Sequence, residues 1–365
     1  MRWNSRVLDG PPPAPLPAAP VLSPDPLSDH ALPTVFKKHY AMGAVFEIIA
    51  YPINLAHASQ AVDQAFQEID RLEQVMSIYK PASELSRLNR TAHLHAQPVS
   101  TDLYRVIQES LYYSQLSEGA FDVTAGPLAE RWKAVGRGEQ PPSPAEAKRL
   151  RRGVGYRQIE LIPPDQIRFH SSQVTVDLGA IGKGYAVDRA AAVLRSCGIE
   201  CALINSGAST FYAMGCPPGL CGWPVHLCNP SARPDPHVLL RENSVSTSQQ
   251  TLPGSLGMPS FGHIIDTVAG EPMKSATAVS VVAESATASD ALSTALLLMG
   301  PAKGRDLVKR LTNVAAAWIS PEGLPQIATS GPEILMTSAA RMSPQTAVAR
   351  NPDQNCSQRR GCACE

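Results

Sequence analysis

VTVDLGAIGKGYAVDRAAAVLRSCGIECALINSGAS, Val174 to Ser209, is the stretch from which the fold is read. Val174 and Val176 alternate with polar residues, the period of a half-buried strand. Gly179, Gly182 and Gly184 then surround Lys183, so the backbone can turn tightly and bring N–H groups close to an anion. A helix is expected over Gly184 to Ser196, and its positive end near Tyr185 points at the same spot. A second strand follows at Cys201 to Asn205. About a hundred residues on, ATASDALSTALLLMG ends at Gly300 and reads as an apolar helix over Ala286 to Met299. In it Asp290 and Thr294 are four residues apart, which puts a carboxylate and a hydroxyl on one helix face. Hard oxygen donors beside a phosphate-friendly turn suggest Mg2+ holding a pyrophosphate. Taken singly, the two features have plainer readings. The turn matches neither the Rossmann nor the P-loop pattern, and Asp290 could simply cap the helix that continues into Leu292.

Other segments extend this picture. Val45 to Tyr51 reads as a strand. Ala58 to Met76 carries an apolar stripe of Ala61, Ala65, Phe66, Ile69, Leu72 and Val75 at helical spacing. Thr101 to Leu116 is a second helix with Ser100 or Thr101 as its cap, and Ser143 can cap a short helix through Leu150. Arg137 to Glu146 is rich in Gly and Pro and reads as a loop or subdomain connection. Strands are expected near Gln158 to Leu161, Gln166 to Phe169, Asn243 to Ser248 and Ala278 to Val282. Gly215 to Arg241 should edge one sheet. A further helix runs from Ala302 to Leu311, and Val314 to Ile319 is the last clear strand. Strands and helices mix without regular βαβ repetition, which argues for an α+β fold.

Composition narrows the function classes. The 365 residues carry 32 basic and 32 acidic side chains, so no broad nucleic-acid or anionic-membrane surface is expected. The Pro/Ala-rich start has no uninterrupted apolar h-region, so it reads as a disordered leader over residues 1–36 rather than a secretory signal. No lipobox cysteine and no bilayer-length apolar stretch is seen, which as given fits a cytoplasmic protein; an upstream start would change that to periplasmic or membrane-anchored. Residues 339–365 read as a disordered tail. The 8 cysteines show no C-x-x-C pair; free thiols, or a Cys216–Cys221 or tail disulfide, are the open readings.

Five stretches in order resemble one family: AMGAVFEIIAY (Ala41 to Tyr51), MSIYKPASELSRLN (Met76 to Asn89), SEGAFDVTAGPL (Ser117 to Leu128), DLGAIGKGYAVD (Asp177 to Asp188), and GHIIDTVAGEP with SDALSTALLLMG (Gly262 to Gly300). The chain resembles ApbE-type FAD:protein FMN transferases from about residue 37 to about residue 338. That resemblance implies largely antiparallel sheets packed with helices, in one catalytic domain with a smaller subdomain. It implies Mg2+-dependent transfer of FMN from FAD, the substrate, to a Thr or Ser hydroxyl of an acceptor protein with a D-x-[ST]-G-A-[ST]-like motif, releasing AMP. It implies metal ligands at Ala180 (backbone oxygen), Asp290 and Thr294, with Ser293 close by, and FAD contacts at Met42, Tyr79, Ala120, Phe121, Asp122, Asp177, Lys183 and Ile264. His263 matches the family's proposed base, and Asp290 is also counted as catalytic. Ser246, Thr247 and Ser248 match a stretch that lines the flavin site, though Gln249 replaces the usual glycine.

Structural readings stand beside these: Met42 and Phe121 as core, Lys183 as a solvated turn residue, His263 as the end of a strand. The chain departs from the family at Asn205-Ser206-Gly207-Ala208-Ser209, where relatives show N-x-G-G and an acid, and at Asp266-Thr267, where Asp-Pro is usual. Ser206-Gly207-Ala208-Ser209 also looks like the core of a flavin acceptor motif. Ile204 stands where the acid should be, so it reads as a buried turn. Hydrolysis of FAD with water as acceptor, and a non-catalytic flavin carrier, are the competing functions.

Overall fold

The structure is a computed structural model and describes residues 33–52, 54–227, 235–250, 264–267, 269–273, 277–320 and 325–337. Its frame is an eight-stranded antiparallel sheet. In spatial order the strands are β1 (Val35–Ala41), β2 (Ala44–Ala50), β6 (Ala202–Ser206), β7 (Thr210–Met214), β10 (Asn243–Gln249), β13 (Ala278–Ala283), β14 (Ala315–Ile319) and β15 (Gln326–Thr329). Period-2 alternation gives this sheet two apolar faces. Phe46, Ile48, Ile204, Val279, Val281 and Trp318 pack under helices α1 (Leu55–Met76), α6 (Gly182–Ser196) and α7 (Ala286–Arg310). Ile49, Leu203, Phe211, Val245, Val282 and Ala317 face a three-stranded sheet of β16 (Leu335–Thr337), β9 (Asp235–Leu240) and β8 (Trp223–His226). The molecule is therefore layered as helices, sheet, small sheet, an α+β architecture with antiparallel ladders throughout.

A second group of elements flanks the helical layer. It holds α2 (Glu84–Thr91), α3 (Thr101–Leu116), α4 (Gly126–Gly136), α5 (Pro144–Arg152), a 3-10 turn at Tyr156–Gln158, and a sheet of β3 (Gln97–Pro98), β5 (Gln166–Phe169) and β4 (Ile159–Ile162). A two-stranded ribbon, β11 (Ile265–Asp266) and β12 (Glu271–Pro272), lies against α4.

Several expectations are corrected. Val174–Val176 belongs to no sheet. The Asn89 side chain donates to the Val176 carbonyl and accepts its N–H, both at 2.9 Å, so one amide replaces a neighbouring strand. Helix α6 begins at Gly182, ahead of the expected Gly184. Asp290 is no helix cap: Ser285 Oγ accepts the Ala288 N–H, and Asp188 on α6 accepts the N–H groups of Ala286 and Thr287 at 2.7 and 2.8 Å. Gly215 to Arg241 supplies β8 and β9 of a separate sheet rather than one edge, and two strands follow Ile319. The expected helices Ala286–Met299 and Ala302–Leu311 run as one element broken at Gly300, whose φ of 71° and the following Pro301 interrupt the ladder. Strand β1 opens at Val35. Helices α2 and α4 begin inside two of the family-like motifs and run past their ends. His263, Cys228, Cys356, Cys362, Cys364, the leader through residue 32 and the tail beyond residue 337 lie outside the described residues.

Candidate active site

The site grows from one close helix crossing. A Cβ added to Gly184 would lie 2.3 Å from the Ala286 carbonyl oxygen and 2.8 Å from Asp290 Cβ. Only glycine lets α6 and α7 approach this far. The approach brings the Gly184 N–H to Asp290 Oδ2 at 3.0 Å. The first turn of a helix has N–H groups without helical partners, and a carboxylate there is favoured by the helix dipole. The glycine turn and the Asp290 helix thus meet, although 106 residues separate them in sequence.

Around Asp290, itself 5% exposed, the sheet contributes hydroxyls. Ser246 Oγ lies 3.4 Å from Asp290 Oδ1 and shares a 2.9 Å hydrogen bond with Thr210 Oγ1. Ser248 Oγ bonds Ser293 Oγ at 2.7 Å and Thr294 Oγ1 at 3.0 Å. Ser293 is fully buried and also donates to the Asp290 carbonyl at 2.9 Å, so its hydroxyl is already used in holding the helix turn. Ser206, opposite Thr210 across the β6–β7 hairpin, is fully buried, and its Oγ has no hydrogen-bond partner among the described residues. The NSGAS segment is the turn of that hairpin, with Gly207 and Ala208 at positive φ.

Met42, at φ 52°, donates its N–H to Glu73 Oε1 at 2.8 Å, and its Cε lies 3.6 Å from the position of a Cβ on Gly182. Burial pushes the Glu73 carboxyl up, but hydrogen bonds from Lys80 and the Met42 N–H outweigh it and leave it below its ordinary range. Lys183 Nζ donates to the Gly179 carbonyl at 3.2 Å, closing the turn that contains Ala180. Asp177 Oδ1 accepts the Gly179 N–H at 2.9 Å, and the Asp177 N–H reaches the Val123 carbonyl. Asp177 also lines a groove of about 420 Å3 with Ile78, Asn89, Gly126 and Glu130. Tyr79, 74% exposed, stands beside Ile78 at the surface.

Three residues are used by the fold itself. Phe121 is 1% exposed, a core ring. Asp122 accepts from the Thr124 N–H and hydroxyl and from the Tyr156 N–H, which fixes the loop before α4. Ala120 closes a turn onto the Ser117 carbonyl. Thr267 donates to the Gly119 carbonyl at 3.0 Å and joins the β11–β12 ribbon to this loop. Ile264 donates its N–H to the buried Gln250 Oε1 at 3.3 Å, and Gln250 Nε2 reaches the Met273 carbonyl. Residue-by-residue reading missed Asn89, Asp188, Glu73 and Gln250. All four act on backbone groups distant in sequence, which no local pattern encodes.

Among the described residues no three His, Cys, Asp or Glu side chains cluster as a metal site, and no helix is long and apolar enough to cross a membrane. Among the described residues Cys197, Cys201, Cys216 and Cys221 form no disulfide. Cys201 Sγ donates to the Cys216 carbonyl at 2.8 Å, and burial first, then Cys216, raises its pKa to about 11.

Residues 42–318 match the model of the ApbE family. The chain is 26% identical over 320 residues to the FAD:protein FMN transferase of Escherichia coli (strain K12), covering 82% of this chain and 88% of that one. It is 31% identical over 262 residues to the FAD:protein FMN transferase of Vibrio cholerae, covering 65% and 74%. Two solved structures share the fold at 24% identity: the flavin transferase ApbE from Vibrio cholerae, with TM-score 0.70 over 82% of this chain and 98% of that one, and the apo form of Pseudomonas stutzeri flavinyl transferase ApbE, with TM-score 0.72 over 82% and 95%.

Proposed function

The chain belongs to the ApbE family, and from that membership we propose that it transfers FMN from FAD to a Thr or Ser hydroxyl of an acceptor protein and releases AMP. The observation that carries this reading is the α6–α7 seam, where a buried carboxylate and a row of hydroxyls meet the start of a helix.

The donor set suits Mg2+. One oxygen of Asp290 is fixed by the Gly184 N–H, and the other lies 3.4 Å from Ser246 Oγ. Thr294 and the Ala180 carbonyl add neutral oxygens in this reading. Mg2+ is commonly held by one or two carboxylates plus substrate phosphate oxygens and water. Bound there, it would neutralise charge developing on the pyrophosphate.

The chain's own residues do the rest. The acceptor oxygen bonds to the FMN-side phosphorus, the P–O bond to the bridging oxygen breaks, and AMP leaves with that oxygen. The acceptor's proton goes to the imidazole of His263, a side-chain type suited to general-base work. Lys183 and the glycine turn orient the diphosphate. Tyr79 and Met42 flank the nucleotide. The seam's burial keeps water from competing with the acceptor.

The test is product analysis after incubation with FAD, Mg2+ and a peptide carrying D-x-T-G-A-T. Covalently fluorescent peptide with stoichiometric AMP is expected. AMP without labelled peptide would make the protein a hydrolase, and intact bound FAD a carrier. Asp290→Asn keeps the side chain's shape and should lower labelling at least about a hundredfold, the scale of losing one preorganised charge-stabilising group. Undiminished labelling in that variant refutes the role given to Asp290.

A further inference from the structure

Helix α5 buries none of its nine residues fully, so core packing does not explain it. It is held by its Ser143 cap and by Arg131, whose Nε donates to Glu146 Oε1 at 2.8 Å. Its outer surface is cationic. Lys148, Arg149, Arg151 and Arg152 are exposed, and so is Arg157. Gln158 Nε2 donates to the Arg152 carbonyl at 3.2 Å, which fixes the turn bearing Arg157 against the end of α5. None of these five cations forms an ion pair among the described residues. A chain with 32 basic and 32 acidic side chains concentrates five positive and no negative side chains within residues 148–157. One or two cations would complement the helix C-terminus; the remainder need another reason.

Position supplies one. A Cβ on Gly270, in the turn between β11 and β12, would lie 3.0 Å from Arg151 Cδ, and Trp132 Nε1 on α4 donates to the Gly270 carbonyl at 2.9 Å. The same ribbon leads back to Ile264, the neighbour of His263. Through Gln250 it is tied two residues from Ser248, which bonds Thr294. The basic face therefore borders the ribbon beside which the acceptor hydroxyl must arrive.

We propose that α5 and Arg157 form a docking surface for an acidic segment of the acceptor protein, a reading that rests on flavin transfer as the activity. Exposed charge pairs are individually weak. Several together steer encounter and hold a flexible substrate near the site, and they lose force as salt rises.

The test uses the full chain with two peptides that share the acceptor motif and a Gly/Ser linker, one ending in tetraglutamate and one in tetraglutamine. The expected result is a kcat/KM advantage of roughly tenfold for the acidic peptide at low ionic strength, the worth of a few weak surface pairs. It should vanish at high salt and in K148E/R149E/R152E, while the neutral peptide is labelled equally by both proteins. Binding of a fluorescent acidic peptide, followed by anisotropy, should fall in parallel. Equal labelling of both peptides by the wild type overturns the docking surface and leaves transfer intact. Acidic-peptide binding that is lost in the variant, without labelling of either peptide, supports docking and refutes transfer. Binding to phosphatidylglycerol vesicles that is lost in the variant, without any peptide preference, overturns the proposal in favour of a membrane.

Discussion

Gly184 is the residue on which the site's assembly turns. Its missing side chain sets the distance between α6 and α7, and its N–H fixes the carboxylate of Asp290. Gly184→Ala forces a methyl group into the Ala286 carbonyl, and overpacking of this kind costs about 1–3 kcal/mol. The expected outcome is a folded protein with a lowered Tm and a larger, separate loss of Mg2+-dependent flavin transfer, because the seam opens where Asp290 sits. Loss of Tm with unchanged turnover per folded molecule contradicts this. Much of the site could be read at this scale: Asp290 and Thr294 share a helix face, and Lys183 sits among glycines. The Gly184–Asp290 hydrogen bond could not, since it joins residues with no local pattern between them. Phe121 and Asp122 matched a motif, yet here one fills the core and the other fixes a loop.

Among the elements, α1, α3 and α6 are joined by a charged network. Arg71 bridges Glu68 and Asp102, Tyr185 donates to Asp102 at 2.7 Å, and Arg189 reaches Glu68 at 3.2 Å. The Arg71 hydrogen bond holds the Glu68 carboxyl below its ordinary value; burial pushes Asp102 up, but Tyr185 and Arg71 outweigh it and leave it lowered too. Carboxyls lowered in the folded state contribute stability above their unfolded pKa of about 4, and that contribution is lost as pH falls through the folded values. The network's contribution to Tm should therefore be full at neutral pH and be lost as pH falls below about 4. In Glu68→Gln/Asp102→Asn the neutral Tm should be lower and the acid fall shallower. Parallel curves would exclude the network as the cause. Element reading was sharpest where cap and stripe agreed. Ser100 caps α3, and the expected Thr101 to Leu116 is what forms. It failed at β1 because the polarity is inverted: Lys37 and His39 face α1 through Asp63 and Asp70, while Phe36 and Tyr40 are exposed. It failed at Val174–Val176 because a side chain, not a strand, satisfies the backbone.

For the whole molecule, the layering of helices over an eight-stranded sheet places β10 beneath α7, and so sets Ser246 and Ser248 under Asp290 and Thr294. An α+β fold was legible from the irregular alternation of elements. The pairing of β2 with β6, between segments about 150 residues apart, and the separate β8–β9–β16 sheet were not, because register across such separations is set by tertiary packing. This architecture brings two distant motifs into one seam, and the functional account depends on a divalent cation binding there with the substrate diphosphate. Anomalous diffraction from a crystal soaked with FAD and Mn2+ tests that directly. The account predicts a single strong peak beside Asp290 and the FAD phosphates. A peak away from the α6–α7 seam, or FAD bound with no metal at Asp290, would contradict it.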